Sequence, residues 1–192
     1  MDWETEEFGA AHQGRAGAVL ADGSEPKPVY LDTGSGGSMH ASTNWWLYDG
    51  TFGTPKATHL RGICSCGWRG THLIPVNWTL AADGPETTDT SAVHDDWVHH
   101  IADVQQQTVP LPTGLPDLLE QLDAKLTGLA VEAPLAALRA LSVLERTVAR
   151  TGHTAITCTQ ADGTSDEQLA RALGVTEKDA EKIVSRYLFT RR

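Results

Sequence analysis

The spacing of apolar positions changes character near residue 110. Before that point the apolar residues come in short runs broken by turn signals. Asn44-Trp45-Trp46-Leu47-Tyr48 predicts a strand ended by Asp49-Gly50. Residues 57–66 and 70–78 predict two further short strands on either side of a turn at Cys64-Ser65-Cys66-Gly67. Val93, Trp97, Ile101 and Val104 then recur at helical spacing, so one helix with a buried stripe is expected there, capped by Thr90-Ser91. These elements predict a small antiparallel sheet covered by one helix.

Beyond Val109-Pro110-Leu111-Pro112-Thr113-Gly114 the period is helical throughout. One helix carries Leu115, Leu118, Leu119, Leu122 and Leu126, with Pro116 in its first turn. A second begins at Pro134 and carries Leu135, Leu138, Leu141, Leu144 and Val148, with Gly152 expected to end it. Residues 166–188 follow the helix-turn-helix pattern. Ala170 stands where two helices would cross, Gly174 in the turn, Thr176 as a cap, and Val175, Ala180 and Ile183 face the first helix.

The organisation expected from these patterns is a flexible acidic, Gly-Ser-rich arm over 1–42, a zinc-binding ββα-type module over 43–108, a linker over 109–115 and a helical domain over 116–192. The fold class is α+β: a small zinc-stapled antiparallel β-sheet plus helix, followed by an all-helical, helix-turn-helix-like domain. The arm is expected to be mobile because Thr33-Gly34-Ser35-Gly36-Gly37-Ser38 and its surroundings offer little apolar surface to offset ordering entropy.

The chemistry concentrates at Cys64, Cys66 and the segment His94-Asp95-Asp96-Trp97-Val98-His99-His100. Thiolate and neutral imidazole are the ligands Zn²⁺ prefers, and a site with all four positions filled by protein is structural. Adjacent cysteines one residue apart in an extended strand pair poorly as a disulfide, and Gly67 permits the turn that a metal knuckle needs. On a helical wheel His94 and His100 flank Trp97 by about 60° on either side, which makes them the expected ligand pair beside Cys64 and Cys66. His99, His59 and His72 stand as alternatives to either histidine. Cys158 is isolated and is expected to be a small buried apolar residue.

Composition narrows the classes. The 192 residues are 40% hydrophobic but only 6% aromatic, so small cores are expected, of the kind that often need a metal staple. A net charge of −10 argues against a surface built throughout for nucleic acid, leaving only a local contact. Few cysteines, no apolar targeting segment and no membrane-length apolar run point to a cytoplasmic protein without a membrane partner. The His-x-Glu and Pro-Cys-x-x-Cys pattern of zinc deaminases is missing, and with it the expectation of an enzyme.

Cys64-Ser65-Cys66-Gly67-Trp68 with Trp97-Val98-His99-His100 resembles a group of actinobacterial proteins of unassigned activity that join a Cys-x-Cys-Gly-Trp segment and a Trp-x-x-His helix to a helical C-terminal region. The resemblance covers roughly residues 57–101 and implies His100 as the matching histidine. Residues 134–188 look like the helix-turn-helix of many small bacterial regulators. The expected function is therefore a zinc-containing, non-enzymatic DNA-associated regulator, with Thr176, Lys178, Lys182 and Arg186 as DNA-contacting residues and Arg191 and Arg192 adding charge. A homodimer is the expected form, because one such helix seldom supplies enough affinity alone. Glu177 and Asp179 at the start of the second helix leave a protein-interaction module as the alternative.

Overall fold

A computed structural model describes residues 2–32 and 39–189. The chain divides into two units, Met1–Gln106 and Gln107–Arg192.

In the first unit a four-stranded antiparallel sheet has the order β1-β2-β5-β6, built from β1 (Asp2–Trp3), β2 (Gly14–Val19), β5 (His59–Cys64) and β6 (Ile74–Pro75). A separate hairpin pairs β3 (Val29–Asp32) with β4 (Met39–Ser42). The sheet is centred on the β2–β5 ladder, whose register runs from Gly14 opposite Cys64 to Val19 opposite His59. Alternation along the two strands places Gly14, Ala16 and Ala18 with Cys64, Gly62 and Leu60 on one face. The short helix α1 (Trp78–Ala81), capped by the Asn77 side chain, precedes α2 (Ser91–Gln107).

The face of α2 that meets the sheet is Val93, Trp97 and Ile101, as the helical spacing predicts. What lets it lie so close is glycine in the strands. A Cβ on Gly14 would fall 2.4 Å from the Trp97 indole nitrogen, and one on Gly62 would fall 2.6 Å from the Val93 carbonyl oxygen. Small residues on the sheet and large ones on the helix thus make one interdigitated layer. The start of α2 is held by Asp89, which accepts from the Ser91 amide at 2.9 Å, in place of the expected Thr90-Ser91 cap.

Three expectations for this unit are corrected. Residues 2–19 and 29–32, expected within a flexible arm, include β1, β3 and the central strand β2; residues 33–38 lie outside the described residues. Gly-Arg-Ala-Gly-Ala-Val reads as linker composition, but Ala16 and Ala18 are buried in a cluster with Trp45, Tyr48, Leu60 and Val93, and Val19 is buried too. The expected strand at Asn44–Tyr48 is a 3-10 turn over Trp45–Leu47 that buries Trp45 and Tyr48, while Tyr48 donates from its hydroxyl to the Lys27 carbonyl. The expected 70–78 strand shrinks to Ile74–Pro75, because Asn77 caps α1 at Trp78.

The second unit is all helical: α3 (Leu115–Glu132), α4 (Pro134–Ala161), α5 (Asp166–Leu173) and α6 (Glu177–Phe189). Pro116 and Pro134 occupy first-turn positions, where the missing amide costs nothing. Gly152 does not end α4, which continues to Ala161. A Cβ there would come within 2.4 Å of the Tyr187 ring, so this glycine serves the crossing of α4 and α6.

Gly14→Ala is expected to destabilise the first unit by about 1–3 kcal/mol through overpacking against Trp97. All six tryptophans lie in this unit, so their fluorescence in a denaturant titration reports it directly. An unchanged midpoint would contradict the packing of α2 on β2.

Candidate metal centre

Four side chains converge from three parts of the first unit. Cys64 ends β5 and Cys66 lies in the turn that follows. In that turn the Gly67 amide donates to the Cys64 carbonyl at 3.0 Å, and Gly67 has φ +99°, a conformation that favours glycine. The Trp68 amide points at the Cys66 sulfur at 3.5 Å, and the Cys64 amide donates to the Trp68 carbonyl at 3.0 Å. Arg69 ties the turn down further, donating to the Trp68 carbonyl at 2.9 Å while its guanidinium pairs with Glu25.

His12 is the last residue of a 3-10 turn, Gly9–His12, that leads into β2, and its ring is buried. The two turns are fastened to each other by Ser65. Its Oγ accepts from the Gln13 amide at 2.9 Å and faces the Ala10 and Ala11 carbonyls at 3.0 Å each, and its amide donates to the Gln13 carbonyl at 2.8 Å. His100 comes from α2, and the Trp68 ring stacks on it with centroids 4.6 Å apart and planes at 7°. Phe8 meets His12 edge-on. Trp97 and Ile101 pack with Cys64 beneath the cluster.

The donor atoms of His12, Cys64, Cys66 and His100 all lie within 4.8 Å of one another, close enough to hold a metal ion. His12 Nδ1 is 3.3 Å from His100 Nε2 and 3.7 Å from Cys64 Sγ, and Cys66 Sγ is 3.3 Å from His100 Nε2. A tetrahedral ion with metal–nitrogen bonds of about 2.0 Å and metal–sulfur bonds of about 2.3 Å sets its ligands about 3.3–3.8 Å apart. These three separations fall in that range. Hydrogen bonds from Cys66, His100 and His12 outweigh burial and hold the Cys64 thiol well below its ordinary value, while the bond to Cys64 and burial push Cys66 up. A bound cation would allow both sulfurs to be thiolates.

His94, expected as a ligand, is not in the cluster. Its ring packs edge-on against Trp3 at 5.0 Å, and its Nδ1 is 3.9 Å from the Asp95 carboxylate. Five residues lie between His94 and His100, the long end of the spacing of histidine ligand pairs, and along the unbroken helix Ser91–Gln107 the His94 ring is placed against Trp3 instead of beside His100. His12 supplies the fourth donor instead. His12 lies two residues before a strand whose register sets Gly14 opposite Cys64, which brings it to the cysteines.

The other histidines have different partners. His99 meets the Asp95 carbonyl at 2.8 Å, and His59 meets the Thr58 hydroxyl at 3.0 Å. His72 is bound by Asp96, which accepts from its amide at 3.0 Å and contacts its ring. Asp96 thereby fastens the 70–72 loop to α2; burial raises its carboxyl, but the His72 bonds outweigh that and lower it. Cys158 is exposed on α4, not buried as expected.

Ser65→Ala removes the side chain that links the turn carrying His12 to the turn carrying the cysteines. It is expected to cost the first unit about 1–3 kcal/mol in denaturant unfolding. Stability equal to the parent chain would mean that the backbone pair Ser65–Gln13 alone holds the two turns.

The chain matches no family model, no curated protein and no solved structure with which it was compared.

Proposed function

We propose that this chain is a non-enzymatic, zinc-containing, DNA-associated regulatory protein, in which a zinc-stapled module accompanies a helix-turn-helix. The ion is assigned as Zn²⁺ because the donors are two sulfurs and two ring nitrogens at tetrahedral spacing, a set in which zinc is the common occupant. With all four positions supplied by side chains, no coordination place is left for a reactive water, so the role is structural.

The observation that carries the DNA reading is the geometry of α5 and α6. Ser165 and Gln168 form a reciprocal capping box at the start of α5, and Gly174 ends it in the left-handed conformation at φ +62°. The Val175 amide returns to the Ala170 carbonyl at 3.0 Å, and Ala170 and Ala180 are buried at the crossing. This leaves Lys178, Lys182 and Arg186 on exposed positions of α6, the helix that lies in the major groove in proteins of this architecture. Thr176 drops out of the contact set. Its hydroxyl accepts from the Asp179 amide at 3.2 Å and donates to the Asp179 carboxylate at 2.8 Å, so it is spent on capping. Arg191 and Arg192 lie outside the described residues.

A second reading has its own support. Lys182 already pairs with Asp179 at 2.6 Å, and Glu177 and Glu181 are exposed on the same helix. Such a mixed face suits a zinc-stabilised adaptor that docks on another protein. Among the described residues no helix is long and apolar enough to cross a membrane.

Two measurements test the proposal. Elemental analysis of protein purified without chelator should give one zinc per chain. Stoichiometry should be lost in His12→Ala and Cys64→Ser and kept in His94→Ala; a chain free of zinc, or one in which His94→Ala loses it, overturns the assignment. Binding to a selected pool of DNA duplexes, read by fluorescence anisotropy, should fall with salt at a log–log slope of roughly −3, from about −0.9 for each phosphate met by Lys178, Lys182 and Arg186. Lys182→Glu combined with Arg186→Glu should abolish it. A pool with no enriched sequence, and binding equal to that of the double variant, favours the adaptor.

A further inference from the structure

The helical hairpin of the second unit is unfinished as a single chain. α3 has no buried residue along its 18 residues, although its leucines occupy one stripe. Taken at 100° per residue, Leu115, Leu118, Leu119 and Leu122 fall within an arc of about 100°. On α4, Leu135, Leu138, Leu141 and Val148 form a second apolar stripe. These eight side chains are between 38% and 82% exposed. Among the described residues of the hairpin only Ala137 and Ile156 are buried, with Leu126, Leu129 and Leu144 half-buried. Helices in proteins are held mostly by burying such an apolar face.

The charges show what covers it. The flanks of α3 carry Asp117, Glu120, Asp123 and Glu132 against the single Lys125, whereas α4 carries Arg139, Arg146 and Arg150 against the single Glu145. All are exposed, and among the described residues none of them makes an ion pair within the chain. An acidic helix beside a basic one, joined by apolar stripes, is complementary to itself when a copy is turned by a two-fold axis. The size also fits. About 27 Å of α3 and a width of two helices, about 20 Å, give a face of the order of 500 Å² before corrugation, about two-thirds of the roughly 800 Å² per partner of a standard interface.

We infer that α3 and α4 are a homodimerisation surface, on which a second copy of this chain seats its own hairpin to close a four-helix bundle, the acidic α3 of each copy lying along the basic α4 of the other. This interface rests on the hairpin alone and is independent of DNA binding. It does give α6 in two copies related by a two-fold axis, the arrangement that reads two half-sites.

Sedimentation equilibrium of the full chain tests it. The parent protein should have twice the 20.7 kDa chain mass. Leu118→Glu with Leu138→Glu should return it to single-chain mass with unchanged far-ultraviolet circular dichroism, because both side chains are exposed in the single chain. Arg139→Glu with Arg146→Glu should weaken association about tenfold, and mixing that variant with Asp117→Lys, Glu120→Lys should restore it as a heterodimer. A parent chain that stays at single-chain mass at its highest soluble concentration overturns the inference. So does a dimer untouched by the Leu118 and Leu138 changes, which would place the interface elsewhere. Loss of DNA binding with the dimer intact would count against the regulator reading alone.

Discussion

The first unit depends on one constraint: donor atoms from His12, Cys64, Cys66 and His100 must come within 4.8 Å of each other. Those residues belong to a turn before the central strand, a turn after its neighbour and the helix that covers both. Much else in the unit serves that convergence. Ser65 joins the two turns, Gly67 allows the bend, Trp68 stacks on His100, and Gly14 and Gly62 let α2 descend onto the sheet. The largest side chains that are fully buried are Tyr48, Leu60, Val19 and Val93, a modest core for a unit of this length. Where apolar burial is this limited, coordination by four side chains from distant parts of the chain would add the cross-link that the core lacks.

How much of this was legible in the sequence depends on whether the signal is local. The buried face of α2 is written in large residues at helical spacing, and Val93, Trp97 and Ile101 are read off directly. The α5–α6 turn is equally local, since Ser165, Gln168, Gly174 and Thr176 each act within four residues of themselves. β2 is different. Its glycines and alanines carry no periodic signal, and it is a central strand whose alanines are buried with Trp45, Tyr48, Leu60 and Val93 while Gly14 admits the Trp97 ring. His12 was hidden by the same cause, since a stretch read as flexible offers no fixed ligand. Cys64, Cys66 and His100 were legible from residue type and spacing. Gly152 shows the opposite failure: a helix-ending residue by local rule is retained inside α4 to admit the Tyr187 ring.

The two units solve the problem of a small core in different ways. The first packs indoles and small residues around a cluster of sulfur and nitrogen donors. The second leaves leucines along α3 and α4 uncovered and divides its charges by helix, acidic on one and basic on the other. Against an overall charge of −10, such local separation of sign is what gives any surface of this chain a directional preference for a partner.

X-ray absorption at the zinc K-edge, on protein purified without chelator, tests the central claim most directly, because it reports ligand type and distance without a substitution. The account predicts four ligands, two sulfurs at about 2.3 Å and two nitrogens at about 2.0 Å, with the outer-shell scattering of two imidazoles. A spectrum with one sulfur, one imidazole or an oxygen in the inner shell would contradict it.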